Sequence, residues 1–373
     1  MLYLDNSATT QMLTEVKEAM LPYLLEEYGN PSSKYYSLAT NANEAIKKAR
    51  ENIAYLLGCD ADEVIFTSSA TESNNMIIKG IADYYGETNK HIVTSKVEHP
   101  AILETCRYLE SKGFRITYLN VDQFGRINLD DLAQLLLESP PLLVTIMWGN
   151  NELGSLQPIE KIAELCHRHN IFFHTDATQV VGKINVDVKD IPGLQFLSCS
   201  AHKFHGPKGI GVSLIKKDKN GLKTKITPLI HGGGQENNYR SGTLAVHNIV
   251  GMGKAAELAI SRLEQNTEGL QRLEKYLQTI LTEKFGEIIQ FNHDQKDKIP
   301  GILSVQFKGI NNELLIKKLA PIVALSSGSA CSSSKPSHVL ESIGLSVNAI
   351  RSTIRLSLSH LTNEEELDIF KEL

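Results

Sequence analysis

Between about residue 40 and residue 217, helix-like and strand-like stretches alternate, and that alternation is what most narrows the folds open to this chain. Short apolar, β-branched runs at 64–67, 91–95, 142–148, 171–175 and 195–198 have the length and composition of strands. Stretches 43–57, 72–85, 101–112 and 159–169 between them repeat apolar residues at helical spacing. Strands that are apolar throughout must be covered on both faces, and intervening helices do that in an α/β fold whose sheet is mostly parallel. Past residue 217 a lysine-rich turn leads to a glycine-rich stretch at 231–235 and a long helical pattern at 245–285. Strand-like 301–307, helical 313–319 and strand-like 352–357 then read as a smaller α+β domain. The expected division is a large domain over 13–256 and a small one made of 1–12 and 257–373, each long enough to bury a core without a metal or disulfide staple.

The balance of charges narrows the function. A net charge of −5 on 373 residues gives no reason to expect direct nucleic-acid binding. The first ten residues lack a basic flank followed by an apolar stretch, and no apolar run approaches the roughly 20 residues that span a bilayer, so a cytoplasmic protein without membrane contact is expected. The five cysteines, Cys59, Cys106, Cys166, Cys199 and Cys331, are odd in number and contain no C-x-x-C pair, which fits neither a disulfide framework nor a metal site. Any cysteine chemistry is that of one free thiol.

Three local patterns carry chemistry. Ser200-Ala201-His202-Lys203 follows an apolar strand, which puts Lys203 at the carboxyl edge of the sheet where ligands of open α/β folds bind. A partly desolvated lysine there can hold an aldehyde cofactor as a Schiff base, although a lone lysine can equally snorkel to solvent. His174-Thr175-Asp176-Ala177-Thr178-Gln179 brings Asp176 to the same edge. The pyridinium nitrogen of pyridoxal phosphate is one partner for a buried carboxylate there, with Gln179 near the ring hydroxyl; a helix cap is the plainer use of such an aspartate. Ser68-Ser69-Ala70-Thr71-Glu72 lies at a strand-to-helix junction, where Ala70 and Thr71 offer backbone amides to a phosphate or belong to an ordinary N-cap. Arg240-Ser241-Gly242-Thr243 is similarly open between a phosphate contact at Thr243 and a turn.

Taken in order with Tyr3-Leu4-Asp5-Asn6-Ser7-Ala8-Thr9-Thr10, Gly29-Asn30-Pro31-Ser32-Ser33, Glu98-His99, Asn150-Asn151-Glu152-Leu153-Gly154 and His231-Gly232-Gly233-Gly234-Gln235, these motifs resemble the NifS/IscS-type cysteine desulfurases of the class V aminotransferase-like enzymes over nearly the whole chain. The resemblance implies aminotransferase fold type I, with the large domain binding pyridoxal 5′-phosphate. It implies that Lys203 bears the cofactor, Asp176 pairs with its ring nitrogen, Gln179 contacts its hydroxyl, and His99 stacks on the ring and takes part in proton transfer. Ala70, Thr71, Ser200 and His202 match cofactor contacts around the phosphate, and Thr243 matches a contact made from the other subunit, so a homodimer is implied. Asn151 and Arg355 match the residues that hold the carboxylate of L-cysteine; the planar guanidinium of Arg355 suits a bidentate grip.

The nucleophile implied is Cys331, set among Ser329, Ala330, Ser332, Ser333 and Ser334 in the composition of a loop, whereas the other four cysteines lie in apolar settings. The implied reaction yields L-alanine and a persulfide on Cys331, which passes to an acceptor protein for iron–sulfur cluster, tRNA or DNA sulfur modification. About two residues fewer separate Cys331 from Pro336 than in long-loop members, and the sequence reaches only Leu373 where many members carry a further helical tail. Both leave the acceptor open. The alternatives are a selenocysteine lyase on the same fold, or a platform protein without activity in a sulfur-transfer complex.

Overall fold

The computed structural model describes residues 1–328 and 336–372. Its first half runs β1 (Leu2–Tyr3), α1 (Thr14–Leu25), α2 (Ser37–Leu57), β2 (Val64–Thr67), α3 (Ala70–Tyr85), β3 (His91–Ser95), α4 (Pro100–Glu110), β4 (Arg115–Leu119), α5 (Leu129–Glu138), β5 (Leu143–Thr145), α6 (Ile159–Arg168) and β6 (Phe172–Asp176). The second half runs β7 (Phe196–Ser200), β8 (Gly211–Ile215), α7 (Val246–Phe285), β9 (Ile289–Phe291), β10 (Ile302–Phe307), α8 (Asn312–Leu319), β11 (Val323–Ala324), α9 (His338–Ser342), α10 (Val347–Ile350), β12 (Thr353–Ser357), α11 (Glu364–Leu367) and α12 (Ile369–Glu372).

Seven strands form one sheet in the order β2-β8-β7-β6-β5-β3-β4, and its fold is α/β. From β7 to β4 every pairing is parallel, while β8 runs antiparallel to both β2 and β7. The central strands are buried along their whole length, as their continuous apolar composition requires. One face is covered by a core in which α2 and α7 contribute Ile46, Ile53, Ile249 and Met252; the other face packs on α3 and α4 through Met76, Ile77, Ile81 and Ile102. In α2, the buried Ala39, Ala42, Ile46, Ala49 and Ile53 recur at intervals of three and four, and Gly58 ends the helix in the left-handed region at φ +63°. The α2–α7 crossing is close: a Cβ on Gly253 would lie 2.5 Å from Ala49 Cα.

The 40-residue α7 serves both cores. Its first part packs under the large sheet, and its later part, with Leu270, Leu273, Leu277 and Leu281, packs with Leu303, Val305, Ile354 and Leu356 of the antiparallel sheet β12-β10-β9. Leu2 and Leu4 belong to that second core, where β1 pairs parallel with β11. The chain then crosses back: Asn6 Nδ2 donates to Ser357 O at 2.9 Å, and Thr10 N to His202 O at 2.9 Å. Residues 5–10 thereby become a wall between β12 and the carboxyl edge of β7.

Several elements differ from the sequence expectation. Helix α2 begins at Ser37 rather than at 43, because its polar first turns hide the periodicity. The edge strand β4 and the helices α1 and α5 were not anticipated; β4 is half-exposed, so its apolar content is diluted. The stretch expected as a strand at 142–148 is laddered only over Leu143–Thr145, although Ile146 N and Trp148 N still bond His174 O and Asp176 O.

Candidate active site

The sheet directs two strand ends to one place. Asp176 closes β6 beside Ser198 of β7, and two residues later Ser200 closes β7 and opens the tight turn Ala201–Lys203. With the start of α3, the loops after β3 and β5, and residues 7–8, these ends line a cleft of about 260 Å³. Ala70, Thr71, His99, Asn151, Asp176, Gln179, Ser200, His202, Lys203 and Arg355 all line it. Of the residues singled out by sequence, Thr243 is exposed and outside the cleft of its own chain, and Cys331 lies outside the described residues.

Asp176 is 5% exposed and has no ion-pair partner among the described residues. Its Oδ2 accepts from Asn74 Nδ2 at 2.7 Å and its Oδ1 from the backbone N–H of Thr178 at 3.0 Å. Lys203 Nζ donates to the carbonyls of Ser7 at 2.6 Å and Ala8 at 2.8 Å. Gln179 Nε2 donates to the same Ser7 carbonyl at 2.9 Å, and its Oε1 accepts from Lys183 Nζ at 2.9 Å. Burial of the Lys183 head group, with Lys203 and Arg355 nearby, pushes that lysine down to about 7.

His99 is the N-cap of α4, and its Nδ1 accepts from Ala101 N–H at 3.0 Å. A lone pair used there leaves the proton of the neutral ring on Nε2. Burial lowers the His99 pKa, with Lys203 and His338 adding to the effect and Asp176 opposing it. His202 is pushed down to about 4 by burial and by the charges of Lys203, Lys208 and Lys183, and its Nδ1 lies 3.1 Å from Thr9 Oγ1. Behind His99, the carboxyl of Glu98 accepts from Met147 N and Ser95 Oγ, and burial raises it to about 8.

Arg355 is enclosed on β12. Its guanidinium donates to Asn151 O at 3.0 Å and to Asp5 Oδ1 at 2.7 Å, while its Nε is buried without a partner among the described residues. Three other cleft-lining atoms are orphaned in the same way: Ser7 Oγ, Asn74 Oδ1 and Thr178 Oγ1. Buried polar atoms left unpaired cost free energy, so their concentration in one cleft marks a place shaped for a polar ligand. The donor set fits pyridoxal phosphate: an amine at Lys203 for its aldehyde, a buried carboxylate at Asp176 for its ring nitrogen, an amide at Gln179, and the first-turn amides of α3 with Ser200 and His202 for its phosphate.

Sequence reasoning left the supporting residues without roles. Asp5, Ser7, Asn74 and Lys183 each hold a residue that faces the cleft, and Glu98 holds the backbone of Met147, which lines it as well. Their signal was present only as polar residues inside otherwise apolar stretches, such as Asn74 on the buried face of α3.

The four described cysteines, Cys59, Cys106, Cys166 and Cys199, are all buried. Burial pushes the thiols of Cys106, Cys166 and Cys199 up to about 12, and that of Cys59 up as well. None of them supplies a thiolate near neutral pH.

Comparison with known proteins agrees over the whole chain. Residues 2–370 match the family model for Aminotransferase class-V. A cysteine desulfurase IscS from Dictyoglomus turgidum is 44% identical over 369 residues, covering 98% of this chain and 91% of that protein. Among solved structures, a NifS-like protein superposes with a TM-score of 0.92 at 37% identity, covering 100% of this chain and 97% of the other. The structure of SspA in complex with cysteine gives a TM-score of 0.84 at 37% identity over 97% of this chain and all of that one.

Proposed function

The chain belongs to the aminotransferase class-V family and is a pyridoxal-phosphate-dependent cysteine desulfurase, and from that premise we propose how its own residues carry out the reaction. Bound pyridoxal phosphate supplies an electron sink for the substrate carbons next to the amine, which makes the Cβ–S bond of cysteine breakable. Lys203 holds the cofactor aldehyde, Asp176 keeps the ring nitrogen protonated, Gln179 donates to the ring hydroxyl, and Ala70, Thr71, Ser200 and His202 take the phosphate. Asn151 and Arg355 receive the substrate carboxylate, and the orphaned Arg355 Nε supports that reading. His99 holds a proton at Nε2 and delivers it to the substrate. Cys331, as thiolate, forms an S–S bond to the substrate sulfur as the Cβ–S bond breaks; the electron pair stays with Cβ, which takes a proton to give L-alanine. The burial of the other four thiols supports Cys331 as the nucleophile.

The persulfide then passes to a thiol-bearing acceptor protein for iron–sulfur cluster, tRNA or DNA sulfur modification. The working form is a cytoplasmic homodimer whose large domain, residues 13–256, carries the cofactor, with residues 1–12 and 257–373 as the small domain. Thr243 reaches the partner's phosphate site; its exposure outside its own cleft supports this. No described helix is long and apolar enough to cross a membrane.

The observation that carries the reading is the convergence of Lys203, Asp176, His99 and Arg355 on one cleft with unpaired polar atoms. Purified protein supplied with pyridoxal phosphate, L-cysteine and a thiol reductant is expected to release equal amounts of L-alanine and sulfide, and Lys203→Ala to release neither. Turnover of selenocysteine but not of cysteine would instead favour the lyase reading.

A further inference from the structure

The turn Val180–Lys183 has no assigned part in the reaction, yet it returns a lysine to the site. Gly182 makes the turn possible: it lies at φ +77°, and a Cβ there would come within 2.6 Å of Phe204 Cβ, next to Lys203. Lys183 N and Ile184 N both bond Val180 O, at 3.0 and 3.1 Å, so the turn is closed by two backbone bonds. Its Nζ reaches Gln179 Oε1, and Gln179 Nε2 in turn reaches the Ser7 carbonyl that also accepts from Lys203.

An amide side chain can be turned end for end with almost no change of shape, so only its partners decide which end faces where. Here both partners decide the same way. Below its lowered pKa of about 7 Lys183 is an ammonium, which only donates and so requires the amide oxygen, and at any pH the Ser7 carbonyl only accepts and so requires the amide nitrogen. The reversed amide would set N–H against ammonium and oxygen against oxygen. In the observed orientation one N–H of Gln179 is used by Ser7, and the second remains for a ligand in the cleft.

We propose that Lys183 is a positioning residue that locks the Gln179 amide with its N–H edge available to the cofactor. The proposal rests on the reading of the cleft as a pyridoxal phosphate site. Lys183 acts through Gln179 and touches neither substrate nor cofactor itself. Without it, one of the two constraints on the amide is lost and the carbonyl end is free to meet the oxygen-bearing edge of the ring.

The test is a double-variant cycle on apo-protein titrated with pyridoxal phosphate, read by quenching of Trp148, the chain's one tryptophan, and by the absorbance maximum of the bound cofactor across pH. Lys183→Met is expected to weaken cofactor binding roughly threefold to tenfold, the scale of one neutral hydrogen bond, and to shift the absorbance in the same direction as Gln179→Ala. The double variant is expected to match Gln179→Ala alone. Lys183→Arg, which keeps a donor, is expected to retain the wild-type spectrum and serves should Lys183→Met fold poorly. A Lys183→Met variant that binds and absorbs like wild type, effects that add in full in the double variant, or an Arg variant with the spectrum of Gln179→Ala would overturn the proposal. Failure of the wild-type protein to bind the cofactor would overturn the cofactor reading, and the proposal with it.

Discussion

Replacing Asp176 by Asn separates what this carboxylate does for the fold from what it does for the cofactor. Both of its oxygens accept hydrogen bonds, from Asn74 Nδ2 and from Thr178 N, so an amide at this position can satisfy only one of those donors as they stand. Asn74, however, has a buried Oδ1 without a partner. Turning its amide over lets that oxygen accept from the new Nδ2 while the new Oδ1 keeps Thr178 N. The count of hydrogen bonds is preserved and a desolvated charge is removed, so the apo-protein is expected to unfold at an unchanged or slightly higher temperature. The cofactor loses a charge-assisted hydrogen bond at its ring nitrogen, an interaction of about 1.5–3 kcal/mol, equivalent to roughly ten- to 150-fold weaker binding. Thermal unfolding of apo-protein and fluorescence titration with pyridoxal phosphate read the two effects separately. Binding within threefold of wild type would refute the pairing of Asp176 with the ring nitrogen, and a large loss of apo stability would refute the compensating turn of Asn74.

Two further substitutions test other parts of the site. Glu98, raised by burial to about 8 from an ordinary 4.5, keeps a proton in the folded protein that the unfolded chain gives up; its stabilising contribution is complete below about 4.5 and is lost as the pH rises to about 8. Glu98→Gln is therefore expected to gain stability relative to wild type as the pH is raised through that window, and a difference in melting temperature that is independent of pH would contradict the assignment. Arg355→Lys keeps the charge but loses the planar fork already divided between Asn151 O and Asp5, so steady-state kinetics should show KM for cysteine raised by roughly ten- to 100-fold with a smaller change in kcat. Equal KM values would remove Arg355 from substrate recognition.

The parts of this protein that were readable from sequence are those in which one residue type performs one task at a strand end. Lys203 and Asp176 stand out because a charged residue comes within a few positions of a buried, largely apolar strand, and the sheet then brings β6 and β7 side by side. Residues 5–10 and Lys183 were not readable as site residues, because what matters is a backbone carbonyl at Ser7 and a turn at Gly182, and neither leaves a mark in composition or periodicity. Glu98 illustrates the same limit: its role follows from two hydrogen bonds to residues 3 and 49 positions away, the second a contact that only the folded sheet creates. Strand β4 was hidden for another reason, since an edge strand need only be half apolar.

In the proposed reaction sulfur leaves cysteine and lands on one particular thiol. Protein loaded with pyridoxal phosphate, incubated with L-cysteine in the absence of reductant and then analysed by intact and peptide mass spectrometry, is predicted to carry added sulfur on the peptide containing Cys331 and on none of those containing Cys59, Cys106, Cys166 or Cys199. Sulfur on one of those four, or alanine formed at an unchanged rate by a Cys331→Ala variant, would contradict it.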